Sequence, residues 1–383
     1  MERVELREWV IVCGGFHRRG AMDRANAALA EYLVTGGSRV HLVAHDVDPG
    51  WLADPRAEVA VVTRPAGSVM AGELALERRA RRVAAALRRG GRSVRVVANG
   101  GNMAGADVNW VHSVHHAWPC SDSEAPTWFR VKNRATRAWA RTREVRAIRS
   151  AGAVVTNSRR TTNDVVTKLG IPADRVHLVY LGSDREWFPP APAERRAARA
   201  RWDAGNRPLV AFIGALGHDT NKGIDLLLDA WERLRAAEWP ASLVVAGPGQ
   251  AGRWQRRARA LGDSVRFVGH IDEVGTLLDA ADVLVSPVRY EAYGLAAHEA
   301  LCRGVPVIIT AGAGIVERLP ADLADLLLPD PPVVESVVER LRRWAAAPDA
   351  WRRRVAPVSE ALRAYPDREM AARIVEIASA PAA

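Results

Sequence analysis

Short apolar runs rich in valine and isoleucine recur along the chain and alternate with segments of helical periodicity. This alternation is typical of βαβ units, in which strands lie parallel in one sheet beneath covering helices. The runs are WVIVCG, RVHLVAH, VAVVT, VRVVANG, VNWVHS and AVVTNS in the first half, and PLVAFIG, SLVVAG, VRFVG, VLVSP and VPVIIT in the second. The pattern predicts an α/β protein with two doubly wound sheets.

A proline-rich segment, WFPPAPAERR, lies between the two sets of runs, and its prolines interrupt regular structure. We therefore predict an N-terminal domain over residues 1–186 and a C-terminal domain over residues 187–357. A last helical pattern, at about 358–379, is open to packing on either domain, including back onto the first.

The positive charge is unevenly distributed. Residues 1–186 contain 29 Lys and Arg against 19 Asp and Glu, residues 187–383 contain 25 against 25, and the net charge is +10. This surplus indicates either an acidic partner or merely a bias in favour of arginine. No basic motif with interleaved aromatic residues accompanies it, so we predict no nucleic-acid partner.

The segment 128–150 has eight basic residues against one acidic residue and apolar positions near helical spacing. It predicts a basic amphipathic helix, which either packs on the first sheet or rests on an anionic membrane. The three cysteines are widely spaced and form no metal-binding pattern, and no apolar run reaches the roughly 18 residues of a membrane span. We expect a cytoplasmic protein, with peripheral membrane attachment as the open alternative.

Ligands of open parallel sheets bind at the carboxyl ends of the strands. The loop after the first strand, GGFHRRGAMDR, lacks the GxGxxG and GK[ST] patterns, so it is either a tight turn or a phosphate site. A later strand ends in VHSVHH, where each histidine suits either a structural role or contact with a sugar or phosphate oxygen. We interpret the Asp-x-Asp of HDVDP as a turn rather than a metal site.

Two loops of the second half carry charged residues. Lys222 precedes a helix, where it is either solvated or a point charge for a diphosphate. Glu291 and Glu299 lie eight positions apart in RYEAYGLAAHEAL, and a helix is expected to begin near Gly294 with its first amides directed at an anion. The two carboxylates either sit on a solvated helix or bind the sugar and the ribose of a nucleotide sugar.

The order GALG…NKG, VVAGPG, RFVGHI and SPVRYEAYGLAAHEALCRGVPVI resembles the C-terminal domain of retaining glycosyltransferases of the family-four type, which have an E-x7-E motif. The first half is similar more loosely, through the loop at Gly20, the strand-end histidines and residues 154–190. The resemblance implies the GT-B architecture, in which two Rossmann-like domains face a cleft.

The resemblance also implies site residues. His112, or else His115, would touch the donor sugar together with Glu291, Lys222 would neutralise the diphosphate, and Glu299 would hold the ribose. The remaining donor-binding positions would be Gly20, Gly214, Gly247, Pro248, His270, Tyr293, Gly294 and Leu295. The family has an arginine where this chain has Ala215, and the candidates to replace it are His218, Arg18 and Arg19.

The implied activity is transfer of a sugar from a nucleotide-diphosphate donor to a hydroxyl of a small-molecule, glycan or lipid-linked acceptor, in carbohydrate or natural-product biosynthesis. The resemblance implies retention of configuration and no further cofactor. No metal is expected, because a lysine and helix N-termini would stabilise the leaving group. The alternatives are a sugar phosphorylase or nucleotide-sugar epimerase, and a non-catalytic two-domain sugar-binding protein. No lysine suited to pyridoxal phosphate and no leader pattern support them.

Overall fold

The structure is a computed structural model that describes residues 8–18, 21–119, 122–123, 125–237 and 239–380. The chain divides into two compact units. Unit 1 contains residues 1–118, 131–182 and 367–383, and unit 2 contains residues 119–130 and 183–366. The main division thus falls at residue 182, against residue 186 in the sequence prediction, and two further segments change unit.

Unit 1 is built on a parallel sheet of seven strands. The strands of this unit are β1 (Glu8–Val12), β2 (Gly15–Phe16), β3 (Arg39–Ala44), β4 (Asp46–Val47), β5 (Ala57–Val61), β6 (Val94–Asn99), β7 (Val108–Val111), β8 (Ala153–Thr156) and β9 (Val176–Leu178). The main sheet has the order β5-β3-β1-β6-β7-β8-β9, and β2 pairs with β4 beside it. Every residue of β1 is buried, as expected for a strand covered on both faces.

Five helices follow strands of unit 1 in the predicted alternation: α1 (Ala21–Thr35), α2 (Pro49–Ala53), α3 (Val69–Arg89), α4 (Thr127–Arg149) and α5 (Arg159–Leu169). The hydroxyl of Ser158 accepts a hydrogen bond from the Thr161 amide (3.0 Å) at the start of α5, and Gly170 ends that helix with φ +66°. Capping and periodicity therefore set the helix bounds locally.

The helix predicted over 128–150 is present as α4, but its predicted apolar face is buried only towards its C-terminal end, where Ile148 lies in the core and Val145 packs against it. Val131 is 64% exposed, whereas Arg143 and Glu144 are buried. The guanidinium of Arg143 pairs with Glu77 (3.0 Å) and donates to the carbonyl oxygen of Gly101 (3.0 Å). Apolar packing and polar contacts therefore both hold this helix, and the apolar spacing predicted only part of its buried side.

Unit 2 is built on a parallel sheet of six strands, in the order β12-β11-β10-β13-β14-β15. Its strands are β10 (Leu209–Ile213), β11 (Ser242–Ala246), β12 (Val265–Gly269), β13 (Val283–Ser286), β14 (Val307–Thr310) and β15 (Leu327–Leu328). Its helices are α6 (Pro192–Arg201), α7 (Ile224–Arg235), α8 (Gly252–Arg257), α9 (Val274–Ala280), α10 (Leu295–Cys302), α11 (Val334–Ala346) and α12 (Pro348–Arg363). The order changes direction at β10, and the loops after β10 and β13 therefore lie side by side.

The last helix, α13 (Asp367–Ser379), belongs to unit 1 and packs on α1. The buried guanidinium of Arg24 bonds to the Asp367 carboxylate and donates to the carbonyl oxygen of Gly182 (3.2 Å). A Cβ on Gly182 would lie 2.5 Å from the Cα of Asp367, so only glycine fits there. Of the two packing alternatives, the structure shows the one on unit 1.

Candidate functional site

The loops after β10 and β13 of unit 2 are fastened together. The Nδ2 atom of the buried Asn221 donates to the carbonyl oxygen of Tyr290 (2.9 Å), and the backbone amide of Arg289 donates to the carbonyl oxygen of Asn221 (2.8 Å). The Arg289 guanidinium pairs in bidentate fashion with Asp225, in the first turn of α7, at 2.6 and 3.0 Å. Sequence analysis missed Asn221 and Arg289, because their partners are far away in the chain.

These fastened loops bring Lys222 and Glu291 together. The Lys222 ammonium and the Glu291 carboxylate are in direct contact, and their side chains are 29% and 20% exposed. An ammonium has three donors, so Lys222 can hold Glu291 and still bind an anion from solvent. The pair as a whole has no net charge, but the ammonium of Lys222 keeps donors that a diphosphate can accept.

Helix α10 begins at Leu295, directly after Gly294, which has φ +111°. Its first amides lack acceptors within the helix, which makes this end suitable for an anion. Glu291 precedes the helix by four residues, and the helix begins where the sequence analysis predicted, near Gly294. Contact between loops, rather than one helix face, places Glu291.

Glu299 lies within α10 and is only partly exposed. Its Oε1 atom accepts a hydrogen bond from Nε of Arg303 (3.3 Å), and the same guanidinium binds Asp279 (2.8 Å). The carboxylate is therefore oriented by an ion-pair network and is not a freely solvated group. Its contact with a ribose stays a prediction.

The glycines in the turn after β11 are required because the backbone of this loop packs closely against that of the loop after β10. A Cβ on Gly247 would lie 1.8 Å from the carbonyl oxygen of Gly214, and one on Gly249 would lie 1.7 Å from that of Leu216. The Leu216 amide donates to the carbonyl oxygen of Pro248 (2.7 Å). Contact between the two backbones explains the glycines, and contact of Gly214, Gly247 and Pro248 with a donor stays a prediction.

Two predicted histidines of unit 2 have different surroundings. His270 is largely exposed and lies 3.5 Å from a carboxylate oxygen of Asp272. The ring of His218 lies 4.8 Å from that of Phe129, and its Nδ1 atom is buried without a partner in the described part of the chain. His218 therefore remains a candidate for the role of the arginine that Ala215 replaces.

Tyr293 turns its side chain into a buried polar network instead of towards a ligand. The hydroxyl of Ser183 donates to the carbonyl oxygen of Leu362 (2.7 Å), so it accepts from Nε2 of His298 (2.9 Å). The Nδ1 atom of His298 is then the acceptor for the Tyr293 hydroxyl (3.1 Å). The side chain of Tyr293 is thus committed within the protein, and contact of its backbone with a donor stays a prediction. His298 was missed because a histidine within an apolar helix segment carries no local signal.

In unit 1, His112 follows β7 and is 7% exposed. Neither of its ring nitrogens has a partner among the described residues, and its ring lies 4.5 Å from that of Trp110. Burial lowers the pKa of His112 to about 3, so the imidazole is neutral near pH 7. Such a ring can donate or accept a hydrogen bond but supplies no positive charge.

His115 is committed to a structural contact. The Nδ1 atoms of His115 and His116 donate to the two oxygens of the buried Glu144, at 3.1 and 2.9 Å. Burial alone would raise the pKa of Glu144, but the hydrogen bonds from the two histidines hold it below its ordinary value. Of the two candidates, His112 has the unpartnered ring.

The Asp-x-Asp sequence is more than the predicted turn, because Asp46 belongs to β4. His17 bridges the pair, with Nδ1 2.9 Å from Asp48 and Nε2 3.3 Å from Asp46. Burial alone would lower the pKa of His17, but the hydrogen bond to Asp48 and the nearby charges raise it. The two aspartates thus fix a histidine of the first loop.

Of the basic residues in that loop, Arg18 donates its backbone amide to Asp48 (2.7 Å), and its guanidinium pairs with Glu31 (2.9 Å). Arg19 and Gly20 lie outside the described residues, so their predicted roles stay predictions. Within the described ranges there is no group of three or more His, Cys, Asp or Glu residues that could hold a metal ion. No helix described by the structure combines the length and apolarity needed to cross a membrane.

The chain matches two family models: residues 22–187 match "Glycosyltransferase Family 4", and residues 207–346 match "Glycosyl transferases group 1". Among solved structures, it is similar to WaaG, a glycosyltransferase involved in lipopolysaccharide biosynthesis, with a TM-score of 0.77 and 19% identity over 97% of this chain and 100% of that one. Its fold is that of a GT-B glycosyltransferase.

The GT-B fold is shared with Anabaena HepE, solved with UDP and glucose, at a TM-score of 0.71 and 15% identity over 98% of this chain and 100% of that one. Curated relatives include an alpha-D-kanosaminyltransferase of Streptomyces kanamyceticus, 27% identical over 54% of this chain and 55% of the relative. Another is a GDP-mannose-dependent phosphatidylinositol dimannoside mannosyltransferase of Mycobacterium tuberculosis, 32% identical over 49% and 48%. The chain spans about half the length of these relatives. The comparisons agree with the predicted fold and glycosyltransferase class.

Proposed function

We propose that this chain is a retaining glycosyltransferase that moves a sugar from a nucleotide-diphosphate donor to an acceptor hydroxyl. The observation that carries the proposal is the contact of Lys222 with Glu291 beside the start of α10, within the half that matches the group 1 model. Unit 2 binds the donor in this proposal, and unit 1 binds the acceptor.

The proposed step breaks the bond between the anomeric carbon and the diphosphate oxygen and forms a bond from that carbon to the acceptor oxygen. The acceptor proton passes to the departing diphosphate. Lys222 and the free amides of α10 stabilise the charge on the leaving group, so the step needs neither a metal nor a cofactor. Departure and attack occur on one face of the sugar, which retains its configuration.

The donor class is supported by relatives. HepE was solved with UDP and with UDP-glucose, and the mycobacterial mannosyltransferase is GDP-mannose-dependent. In this chain, Glu299 and Lys222 offer a carboxylate for ribose hydroxyls and a cation for the diphosphate. A nucleoside diphosphate satisfies both groups.

Binding and turnover test the proposal together. A panel of nucleotide diphosphates and sugars is screened by thermal shift, where a ligand at 100 times its Kd stabilises by about 2.7 kcal/mol. Lys222→Gln should abolish the shift, and the matched control Lys168→Gln, an exposed lysine of unit 1, should retain it. No shift with any nucleotide would contradict the proposal.

Product analysis separates the alternatives. NMR of the product anomer should show retention, and EDTA should leave the rate unchanged. Turnover that requires inorganic phosphate would indicate a phosphorylase, and interconversion of nucleotide sugars would indicate an epimerase. Nucleotide binding without hydrolysis or transfer would leave a binding protein.

We also propose that the first turns of α4 contact an anionic membrane. Trp128 and Val131 are each 64% exposed and lie beside Arg130, Lys132 and Arg134. Exposed aromatic and aliphatic side chains among cations suit the boundary between anionic headgroups and acyl chains. This contact would favour a lipid-linked acceptor.

A further inference from the structure

A cavity of about 230 Å³ lies within unit 1, at the carboxyl ends of strands β1, β3 and β6. Drug-sized ligands occupy cavities of roughly 300–1,000 Å³, so this volume suits a ligand about the size of one sugar ring. The residues that line it and enter the argument are Met22, Asp23, Asn26, Arg64, Glu73 and Asn99.

Buried acceptor atoms in this cavity lack donors. Asn26 is 2% exposed, and its Oδ1 atom has no partner within the described ranges. Asn99 donates through Nδ2 to the carbonyl oxygen of Trp110 (3.3 Å), but its Oδ1 atom is likewise buried and unpaired among the described residues. Buried polar atoms nearly always have hydrogen-bond partners, so a ligand with hydrogen-bond donors would supply partners for both Oδ1 atoms.

A carboxylate is the third acceptor. Asp23, in the first turn of α1, has no hydrogen-bond or ion-pair partner in the part of the chain that the structure describes. Burial raises the pKa of Asp23 against the opposing effect of His17, which is already held by Asp46 and Asp48. A cationic group of a ligand would neutralise this site.

The other charged groups in the lining are Glu73 and Arg64. Glu73 accepts hydrogen bonds from Nε1 of Trp139 (3.1 Å) and is paired with Arg143 (3.3 Å), so its charge is compensated. Arg64 is exposed. His45 donates from Nδ1 to the carbonyl oxygen of Val62 (2.7 Å). Among the described residues of the lining, Asp23 is thus the carboxylate without a hydrogen-bond or ion-pair partner, and the exposed Arg64 is the cation without one.

We propose that this cavity is the acceptor site and selects an acceptor with a protonated amine beside hydroxyl groups. The amine binds Asp23, and the hydroxyls donate to Asn26 and Asn99. The apolar side chains of Met22 and Val69, 49% and 51% exposed, cover the carbon face of the ring at the cavity. This inference rests on the proposed glycosyltransferase function.

Calorimetric titration of the full chain with glucosamine, glucose and glucose 6-phosphate tests this selection. Glucosamine should bind at least tenfold more tightly than the other two at pH 7. Asp23→Asn should remove that preference, and Asp263→Asn, the same change at an exposed position, should keep it. Equal binding of all three sugars, no binding, or tighter binding of glucose 6-phosphate would overturn the inference.

Two further measurements make the result specific. Vesicles that carry a glucosamine-headed lipid show whether the amine is recognised on a lipid or on a free sugar. Nucleotide binding is measured on the same samples, because it depends on unit 2. If the unmodified chain binds nucleotide but shows no preference for the amine, only the acceptor inference is overturned. If the unmodified chain binds no nucleotide, the proposed function is overturned.

Discussion

Lys222 and Glu291 form an ion pair across 69 positions of the chain, each in a loop that follows a strand of the same sheet. Neither residue lies in a helix, because Lys222 precedes α7 and Glu291 precedes α10. The loops that carry them are joined by Asn221 and Arg289, so the pair depends on that fastening.

A double-mutant cycle measures this pair. Lys222→Gln should lower kcat/KM about 100-fold or more, because a preorganised donor to the leaving group is lost. Glu291→Gln should lower kcat more than nucleotide affinity. The double variant should lose less than the sum of the two, with a coupling of about 0.5–3 kcal/mol. Additive losses would show that the contact has no role in catalysis.

Glu299→Gln tests the predicted ribose contact. Loss of a charged acceptor from a hydrogen-bonded hydroxyl pair should weaken nucleoside diphosphate binding by about 1.5–3 kcal/mol. Calorimetry with the nucleoside diphosphate and its 2′,3′-dideoxy analogue checks the assignment. The variant should weaken binding of the nucleoside diphosphate and leave the affinity for the dideoxy analogue unchanged. Glu360→Gln, on the exposed side of α12, is the control. Equal losses for both ligands would assign Glu299 to the ion-pair network alone.

Arg289→Lys should destabilise unit 2 by about 1–3 kcal/mol, because a lysine cannot reproduce the bidentate pair with Asp225. Urea unfolding measures the change. Arg233→Lys makes the same change in an exposed pair with Glu335 and should cost clearly less stability than Arg289→Lys. Equal losses of stability in the two variants would show that the ion pair of Arg289 with Asp225 does not hold the loops after β10 and β13 together.

The protonation of His112 makes stability depend on pH. Its folded pKa of about 3 lies below the ordinary 6.5, so the unfolded chain binds more protons between these values, and stability falls as pH falls through 6.5. From pH 7 to pH 5 this group should cost about 2 kcal/mol. His112→Gln should remove that part of the slope. NMR should show no titration of the His112 ring between pH 5 and 8, and a shift there would contradict its burial.

Membrane contact is tested by sedimentation with vesicles. The chain should sediment with anionic vesicles but not with neutral ones, and salt should release it. Trp128→Ala should weaken the binding, whereas Leu52→Ala, at an exposed position of α2, should leave it unchanged. No sedimentation with either vesicle type would remove the proposed contact of α4.

All eleven apolar runs quoted from the sequence are strands in the structure, and most of them are buried strands of parallel sheets, whereas the edge strands β5 and β12 are only partly buried. The four strands that sequence analysis missed, β2, β4, β9 and β15, have only two or three residues each. Runs of that length are too short to show a pattern. Alternation therefore predicted the two sheets but not their small additions.

The candidate site was less predictable where partners come from distant segments. Lys222 and Glu291 were recognised by their positions after strands, whereas nothing near Arg289 in the sequence indicates its partner, Asp225, which lies 64 positions away. On α4, Arg143 and Glu144 are buried because Glu77 and His115 supply partners from other elements. Only the folded structure reveals such compensation.

The return of α13 to unit 1 constrains how this protein can be divided. Met370, Ala371 and Ile374 of that helix are fully buried, so a fragment that stops at residue 182 would expose the apolar surface of unit 1 that these side chains cover. A gene for unit 1 alone has to restore these thirteen residues, either as a separate peptide or by circular permutation that places them ahead of β1. The fold thus ties the synthesis of the first unit to translation of the second.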